Sequence, residues 1–223
     1  MSHERVATFK IAESYTDKMD EIRKIGFPIK GSATTLRDPF DDKGKCIHLT
    51  LEMGNELLVY HRFTDNLNNR KLVMQHWSEE KAPVPSSGRC MEMGRFVVAP
   101  KYRNILGLFE SFILMGLIYA RNAGYDKVAT GIKNERNLIT RCEKLGFVLD
   151  PIVYECKIPN CESINARTLI YDLKKNGNRL DAAYYQATKI LFEHKQLKLN
   201  KHFLKVITPI PRPGVNAKIR SNL

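Results

Sequence analysis

The chain has 223 residues, 43% of them hydrophobic, with five cysteines and a formal net charge of +12. That content supports one good core, so a single compact domain of α/β or α+β type is expected, and a disordered or disulfide-scaffold protein is not. The opening Met1-Ser2-His3-Glu4-Arg5 lacks the basic-then-apolar pattern of a secretory signal. No run reaches the roughly 18 apolar residues that a membrane span needs, and the expectation is a cytoplasmic protein.

In chain order, Arg5 to Ile11 alternates as a strand, and Tyr15 to Ile25 carries a helical pattern with Thr16-Asp17 as its cap and Phe27-Pro28 as its stop. A polar loop, Gly31 to Lys45, precedes two β-rich runs, Cys46–Leu51 and Leu57–Phe63, joined across Gly54-Asn55 as a hairpin. Asn66 to Trp77 reads as a short helix, and the Pro- and Ser-rich stretch from Lys81 to Gly88 as a covering loop. Arg89 to Val98 is the central strand. Arg103 to Asn122 is apolar on most faces, as a helix buried against a sheet should be, and Gly124 closes it. Lys127 to Gly131 is a strand, Asn134 to Leu145 a helix stopped by Gly146, and Pro151–Ile158 with Asn165–Leu173 a final hairpin. Asp181 to Leu199 is an amphipathic helix leading into a Pro-rich tail.

Cys46, Cys90, Cys142, Cys156 and Cys161 are odd in number and irregularly spaced, which suits reduced thiols. Cys156 and Cys161 flank a turn at Pro159-Asn160, with no second Cys or His pair at ligand spacing, and no metal site is predicted. Lys174 to Leu223 holds eleven Lys and Arg against Asp181 and Glu193, a net +9. Such a segment attracts polyanions: nucleic acid, anionic lipid at a membrane surface, or an acidic carrier protein. The tail lacks the aromatic and basic interleave suited to base stacking, which counts against nucleic acid.

The run Glu92-Met93-Gly94-Arg95-Phe96-Val97-Val98, followed by Tyr102-Arg103, is the most informative in the chain. On a regular strand Glu92 and Arg95 face opposite sides, but Gly94 is where a bulge is cheap, and a bulge turns both toward one side. Glu92 is then a candidate base for deprotonating an amine, with Arg95 beside it and backbone amides of Phe96 to Val98 as oxyanion donors. A strand-end salt bridge is the alternative. Asp38 and Asp41 lie three apart in a Pro-containing loop, placed to hold a substrate ammonium or to pair with Arg23 and Arg62 in a structural network. Phe96, Val98, Phe109, Phe112, Met115 and Ile118 either line an acyl tunnel or belong to the ordinary core.

The late helix, Asn134-Glu135-Arg136-Asn137 running into Leu145-Gly146-Phe147, resembles that of the GNAT acyltransferases. Arg23 with Phe27, Asp38-Pro39-Phe40-Asp41, Arg62 and Glu92-Met93-Gly94-Arg95-Phe96 resemble, in order and rough spacing, the autoinducer synthases and their relatives that make long-chain N-acyl amino acids. Residues 20–150 carry this resemblance. It implies a mixed central sheet flanked by helices, with residues 1–173 as the acyltransferase domain and 174–223 as a basic helical extension. It also implies a fatty acyl group moved from a thioester to the amine of a small amino-acid-like acceptor. Glu92 and Arg95 would be catalytic, and Arg23, Phe27, Asp38, Asp41 and Arg62 would bind the acceptor. Phe96, Val97, Val98, Arg103, Asn104 and Gly107 would hold the donor.

The chain departs from the pattern in three places. The turn Arg103-Asn104-Ile105-Leu106-Gly107 keeps one glycine of the pyrophosphate loop, which favours an acyl carrier protein over coenzyme A as co-substrate, with no further cofactor. No tryptophan follows Phe27 where autoinducer synthases carry one near their adenosylmethionine site, and the sole tryptophan, Trp77, would reach the site only through folding. That favours an amino-acid acceptor over acyl-homoserine lactone synthesis. Cys142 stands where many acetyltransferases have a proton-donating tyrosine. A non-catalytic basic module that binds nucleic acid is the reading from another class.

Overall fold

The structure, a computed structural model, describes residues 6–42, 44–66, 71–192 and 198–199. Strand β1 (Val6–Ala12) leads into helix α1 (Asp17–Gly26). Thr16 stands at the N-cap, but it closes the first turn with its carbonyl, which accepts from the Met19 and Asp20 amides, and not with its hydroxyl. The following loop tightens into a short 3-10 turn at Pro39–Asp41, where the Asp38 carboxylate accepts from the Phe40 amide at 2.9 Å and the Asp41 carboxylate from the Asp38 amide at 2.8 Å. Strands β2 (Ile47–Met53) and β3 (Glu56–Asp65) form the expected hairpin across Gly54-Asn55.

Helix α2 is only Val73–Trp77, shorter than the Asn66–Trp77 expected. Its start is fixed by the Gln75 side chain, which accepts from the Leu72 amide at 3.0 Å; residues 67–70 of the expected helix lie outside the described residues. Strand β4 (Cys90–Val98) is followed by helix α3 (Leu108–Asn122), strand β5 (Lys127–Lys133) and helix α4 (Arg136–Lys144). Strands β6 (Val148–Cys156) and β7 (Ile164–Asp172) make the last hairpin. Its register slips between Leu149 and Val153, where Pro151 has no amide to give the ladder.

Helix α3 starts at Leu108 and not at Arg103. A 3-10 turn at Pro100–Tyr102 intervenes, and Gly107 adopts φ +81°, a left-handed conformation that ends the turn and starts the helix. A Cβ on Gly107 would lie 2.9 Å from the Ala187 carbonyl oxygen, so close packing also demands glycine there. The last helix, α5, spans Leu173–Phe192 and begins eight residues before Asp181. Asn176-Gly177-Asn178 is a poor helix former, but Asp172 accepts from the Lys175 amide at 2.9 Å, and Arg121 grips Asp181 at 2.9 Å and the Gly177 carbonyl at 3.2 Å. At the other end the expected helix through Leu199 is corrected. Residues 193–197 lie outside the described residues, and strand β8 (Lys198–Leu199) pairs in parallel with β1.

The sheet runs β6-β7-β5-β4-β3-β2-β1-β8, antiparallel except at β4–β5 and β1–β8. Helices α1 and α2 cover one face; α3, α4 and α5 cover the other. The main core centres on Leu49, Leu51, Phe63, Met93, Phe112 and Met115 beneath α3. A second cluster, Leu36, Leu72, Met74, Cys90, Tyr154 and Cys156, lies beneath α2, and the 81–88 loop covers it through Ala82 and Val84. No helix among the described residues is long and apolar enough to cross a membrane.

Candidate active site

β4 and β5 are parallel neighbours only at Cys90/Lys127, Met91/Val128 and Glu92/Ala129, after which they diverge. Beyond Glu92, β4 keeps its ladder to β3 alone, and a cleft of about 890 Å³ opens through the sheet at the fork. On the α1/α2 face it is lined by Phe27, Met74, Trp77, Glu92, Arg95 and Cys161; on the α3/α4 face by His61, Phe96, Phe109, Leu138, Cys142 and Phe147.

A bulge decides which side chains meet there. Tyr60 pairs with Val97 and Arg62 with Gly94, so β4 carries one residue more than β3 in this interval. The bulge sits at Arg95, one residue beyond the glycine expected to host it, with φ +57°. It swings Arg95 onto the same face as Glu92 and sends Phe96 to the other, where it packs against His61, Phe109 and Phe112. Positive φ at a bulky non-glycine residue costs on the order of 1–3 kcal/mol and persists only where the surroundings hold it. Here they hold it firmly: the Arg95 guanidinium donates to Asp38 at 3.0 Å and to Cys161 Sγ at 3.5 Å, and lies over Trp77 at 4.8 Å and Phe27 at 5.0 Å.

Behind Arg95 the buried charges form one network. Arg23 donates to both oxygens of Asp41 at 2.6 Å, to the Leu36 carbonyl at 3.1 Å and to the Tyr60 hydroxyl. Arg62 donates to both oxygens of Asp38 at 2.8 Å and to Asp41 at 3.0 Å. Burial works to raise the Asp41 carboxyl, but its bonds to Arg23 and the nearby Arg62 prevail and hold it well below the usual carboxylate range. Arg23, Asp38, Asp41 and Arg62 therefore stand behind the cleft wall, paired with one another, and do not line it; Phe27, Glu92 and Arg95 do. Three guanidiniums meet two aspartates, and Arg62 Nη2 and Arg95 Nε have no partner among the described residues.

Glu92 is 4% exposed and accepts from the Met74 amide at 3.0 Å. Burial pushes its carboxyl up to about 7, against the Met74 bond and the Arg62 charge that pull it down. A carboxylate tuned to neutrality exchanges protons readily at physiological pH. Trp77 joins Glu92 and Arg95 in the wall, and the Arg62 guanidinium lies over it at 5.1 Å. From sequence spacing alone its place is invisible: helix α2 delivers it across the fold. Met74 and Cys161 arrive in the same unannounced way.

Of the residues expected to hold the donor, Phe96 and Arg103 line the cleft. Val97 packs in the core, and the Val98 carbonyl accepts from Arg103 Nε at 3.0 Å. Asn104 is exposed, and Gly107 is occupied with α5 packing. Phe112, Met115 and Ile118 are core, while Phe109 is both core and wall. Cys142 reaches the cleft with its thiol pushed up to about 12 by burial, so it is neutral. Cys156 and Cys161 flank the predicted turn, where Asn160 takes φ +62°. Asp41, Cys46 and His48 bring donor atoms within 4.8 Å of one another, but two guanidiniums already hold Asp41 and repel a cation.

No protein-family model matches the sequence, and no curated protein matches it. Solved structures do. FeeM, an N-acyl amino acid synthase from uncultured soil microbes, superposes with a TM-score of 0.55 at 17% identity, covering 83% of this chain and 98% of that one. BjaI, a CoA-dependent acyl-homoserine lactone synthase solved with SAM and isopentyl-CoA, gives 0.57 at 16% identity, over 82% and 90% of the two chains. An acyl-CoA N-acyltransferase from Pseudomonas aeruginosa gives 0.52 at 20% identity, over 75% and 99%. The chain has the GNAT acyltransferase fold. In GNAT terms the forked β4–β5 pair is the cleft through the sheet, and the neighbours span the two branches that the Arg23-to-Phe96 residues resemble.

Proposed function

We propose that the protein is an N-acyltransferase that moves a fatty acyl group from a thioester to the amine of a small amino-acid-like acceptor. The observation that carries this reading is Glu92, buried at the fork with its carboxyl raised to about 7, on the same face of the sheet as an arginine that a bulge turns there. The acceptor ammonium gives one proton to Glu92, the freed amine attacks the thioester carbon, the carbon–sulfur bond breaks, and the departing thiolate takes up the second proton that the nitrogen loses as it becomes an amide. Backbone amides along the unpaired edge of β4 from Phe96 to Val98 are the candidate oxyanion donors. Once Glu92 is protonated, the charge network carries one excess positive charge, with buried guanidinium nitrogens free, which favours an acceptor that bears a carboxylate.

A carrier-protein donor is preferred over coenzyme A because the Arg103–Gly107 turn offers a single glycine, which is engaged in helix packing, and because the chain is strongly basic. Rates with acyl carrier protein and acyl-coenzyme A of the same chain length decide this: faster transfer from coenzyme A reverses the preference. Trp77 gives a second reading its support. An indole in the cleft wall can receive an adenine ring, so the absence of a tryptophan after Phe27 counts less against adenosylmethionine. Incubation with acyl donor and either acceptor, read by mass spectrometry, separates the two. N-acyl amino acid without methylthioadenosine is expected; stoichiometric methylthioadenosine establishes the lactone synthase instead.

A further inference from the structure

Helix α5 divides cleanly into an inner and an outer face. On the α-helical repeat Leu180, Tyr184, Ala187 and Leu191 turn inward and are buried, while Lys175, Arg179, Tyr185 and Lys189 turn outward and are exposed. The one acid on the outer face, Asp181, is held through both oxygens by Arg121 at 2.9 Å. Lys174 is likewise held, by Asp126 at 2.8 Å. Lys175, Arg179 and Lys189 make no ion pair among the described residues, so their charges are left uncompensated.

Large apolar side chains stand among these charges. Tyr185, one helical turn before Lys189, is 64% exposed, and Ile190 is 42% exposed. The turn before α3 adds a third: Gly107 packs so closely on α5 that a Cβ there would lie 3.4 Å from Ile190, and Leu106, next in the chain, is 70% exposed. A nucleic acid would match the charge but would give aliphatic side chains little to bury against. A protein partner seats its anchors in pockets, whereas an outer helix face is convex. A fluid bilayer with anionic headgroups needs no matching shape: long Lys and Arg stems reach its phosphates while Leu, Ile and Tyr enter the acyl boundary.

We propose that the outer face of α5, together with Leu106, docks the protein on an anionic lipid bilayer. Arg103, three residues before Leu106, lines the cleft, so docking sets one end of the cleft at the lipid surface. Lipid binding does not depend on the acyltransferase reading; where that reading holds, an amphiphilic product leaves beside a phase that dissolves it.

The full chain is mixed with vesicles of phosphatidylglycerol and phosphatidylcholine in equal parts, or of phosphatidylcholine alone, and bound protein is measured by co-sedimentation. Partition onto the anionic vesicles is expected to be at least about 10-fold stronger. Reversing the three charges together, Lys175→Glu, Arg179→Glu and Lys189→Glu, should weaken it by about 10-fold or more. Because residues 193–223 are also basic, this variant tells the α5 face from that segment. Leu106→Ser with Tyr185→Ser leaves the charge unchanged and should weaken it by about fivefold. All five positions are exposed, and matching melting curves check that the fold is kept. Equal wild-type binding to the two vesicles overturns the proposal whatever the variants do. So does undiminished binding by the charge-reversed chain. Full affinity in the Leu106→Ser, Tyr185→Ser chain also overturns it, since the face would then be an electrostatic site for any polyanion, a nucleic acid or an acidic carrier included.

Discussion

The two arms of the cleft are built on opposite principles. On the α1/α2 face Glu92 and Arg95 stand in the wall and Arg23, Arg62, Asp38 and Asp41 behind it, all buried, with the arginines and aspartates joined by short hydrogen bonds. On the α3/α4 face it is mostly phenylalanine, leucine and a neutral thiol, with His61 and Arg103 among its polar members. The charged arm fixes geometry, because each guanidinium that loses its carboxylate is left as an uncompensated buried charge. The apolar arm fixes volume, and it tolerates change in proportion to the contact removed. The proposed function thus puts chemistry in the arm that cannot relax and the donor in the arm that can.

The comparison breaks most sharply at Glu92. Glu92→Gln keeps the shape and the Met74 hydrogen bond while removing the base, and it should lower the rate of acyl transfer by about 10² to 10⁴-fold. Next comes the network. Asp41→Ala strands Arg23 and leaves Arg62 with Asp38 alone, and denaturant unfolding should show a loss of about 3–5 kcal/mol. A loss under about 1 kcal/mol would mean that the network is not what holds this arm.

Glu92 also makes stability depend on pH. Its carboxyl lies near 4.5 when unfolded and about 7 when folded, so between these values the folded chain holds a proton that the unfolded chain has lost. The contribution is complete below about 4.5, declines as pH rises, and is gone above about 7, a change of up to about 3 kcal/mol. Urea melts at about pH 5 and about pH 8 should show this decline in the wild type and a smaller one in Glu92→Gln. A parallel decline in both would assign the effect to other groups.

In the apolar arm the effects should be smaller. Leu138→Ala removes part of a partly buried wall and should raise KM for long-chain donors about fivefold, with little change for short ones. Gly107→Ala forces a side chain into a left-handed φ against the Ala187 carbonyl and should cost about 1–2 kcal/mol in thermal or denaturant unfolding.

The charged arm was far more legible in the sequence than the apolar one. Arg23, Asp38, Asp41, Arg62, Glu92 and Arg95 stand out by residue type, and strand alternation alone implied that a bulge must intervene for Glu92 and Arg95 to share a face. The network's inward pairing was legible only as one of two alternatives, since a charged residue in a loop reads the same whether it faces a ligand or a partner; the structure bears out the pairing of Asp38 and Asp41 with Arg23 and Arg62. Phe96 and Phe109 were separable from Phe112, Met115 and Ile118 only once the fork between β4 and β5 was known, because apolar spacing in a helix buried almost all round does not say which side meets a cavity. Trp77 and His61 carried no local signal, as contacts across a sheet are set by register. The hairpins and the glycine stops after α3 and α4 followed from local chemistry. The early start of α5 depended on Arg121, more than fifty residues upstream of the Gly177 and Asp181 groups it holds.

The most direct test of Glu92 as the base at the fork is the rate of single-turnover acyl transfer from a thioester to an amino acid, followed between about pH 5.5 and about pH 8.5. The wild-type rate should rise with an apparent pKa near 7 and level off once Glu92 is ionised, and Glu92→Gln should be slower by at least about 10²-fold with that inflection missing. A Glu92→Gln enzyme that keeps both the wild-type rate and the inflection would contradict the account.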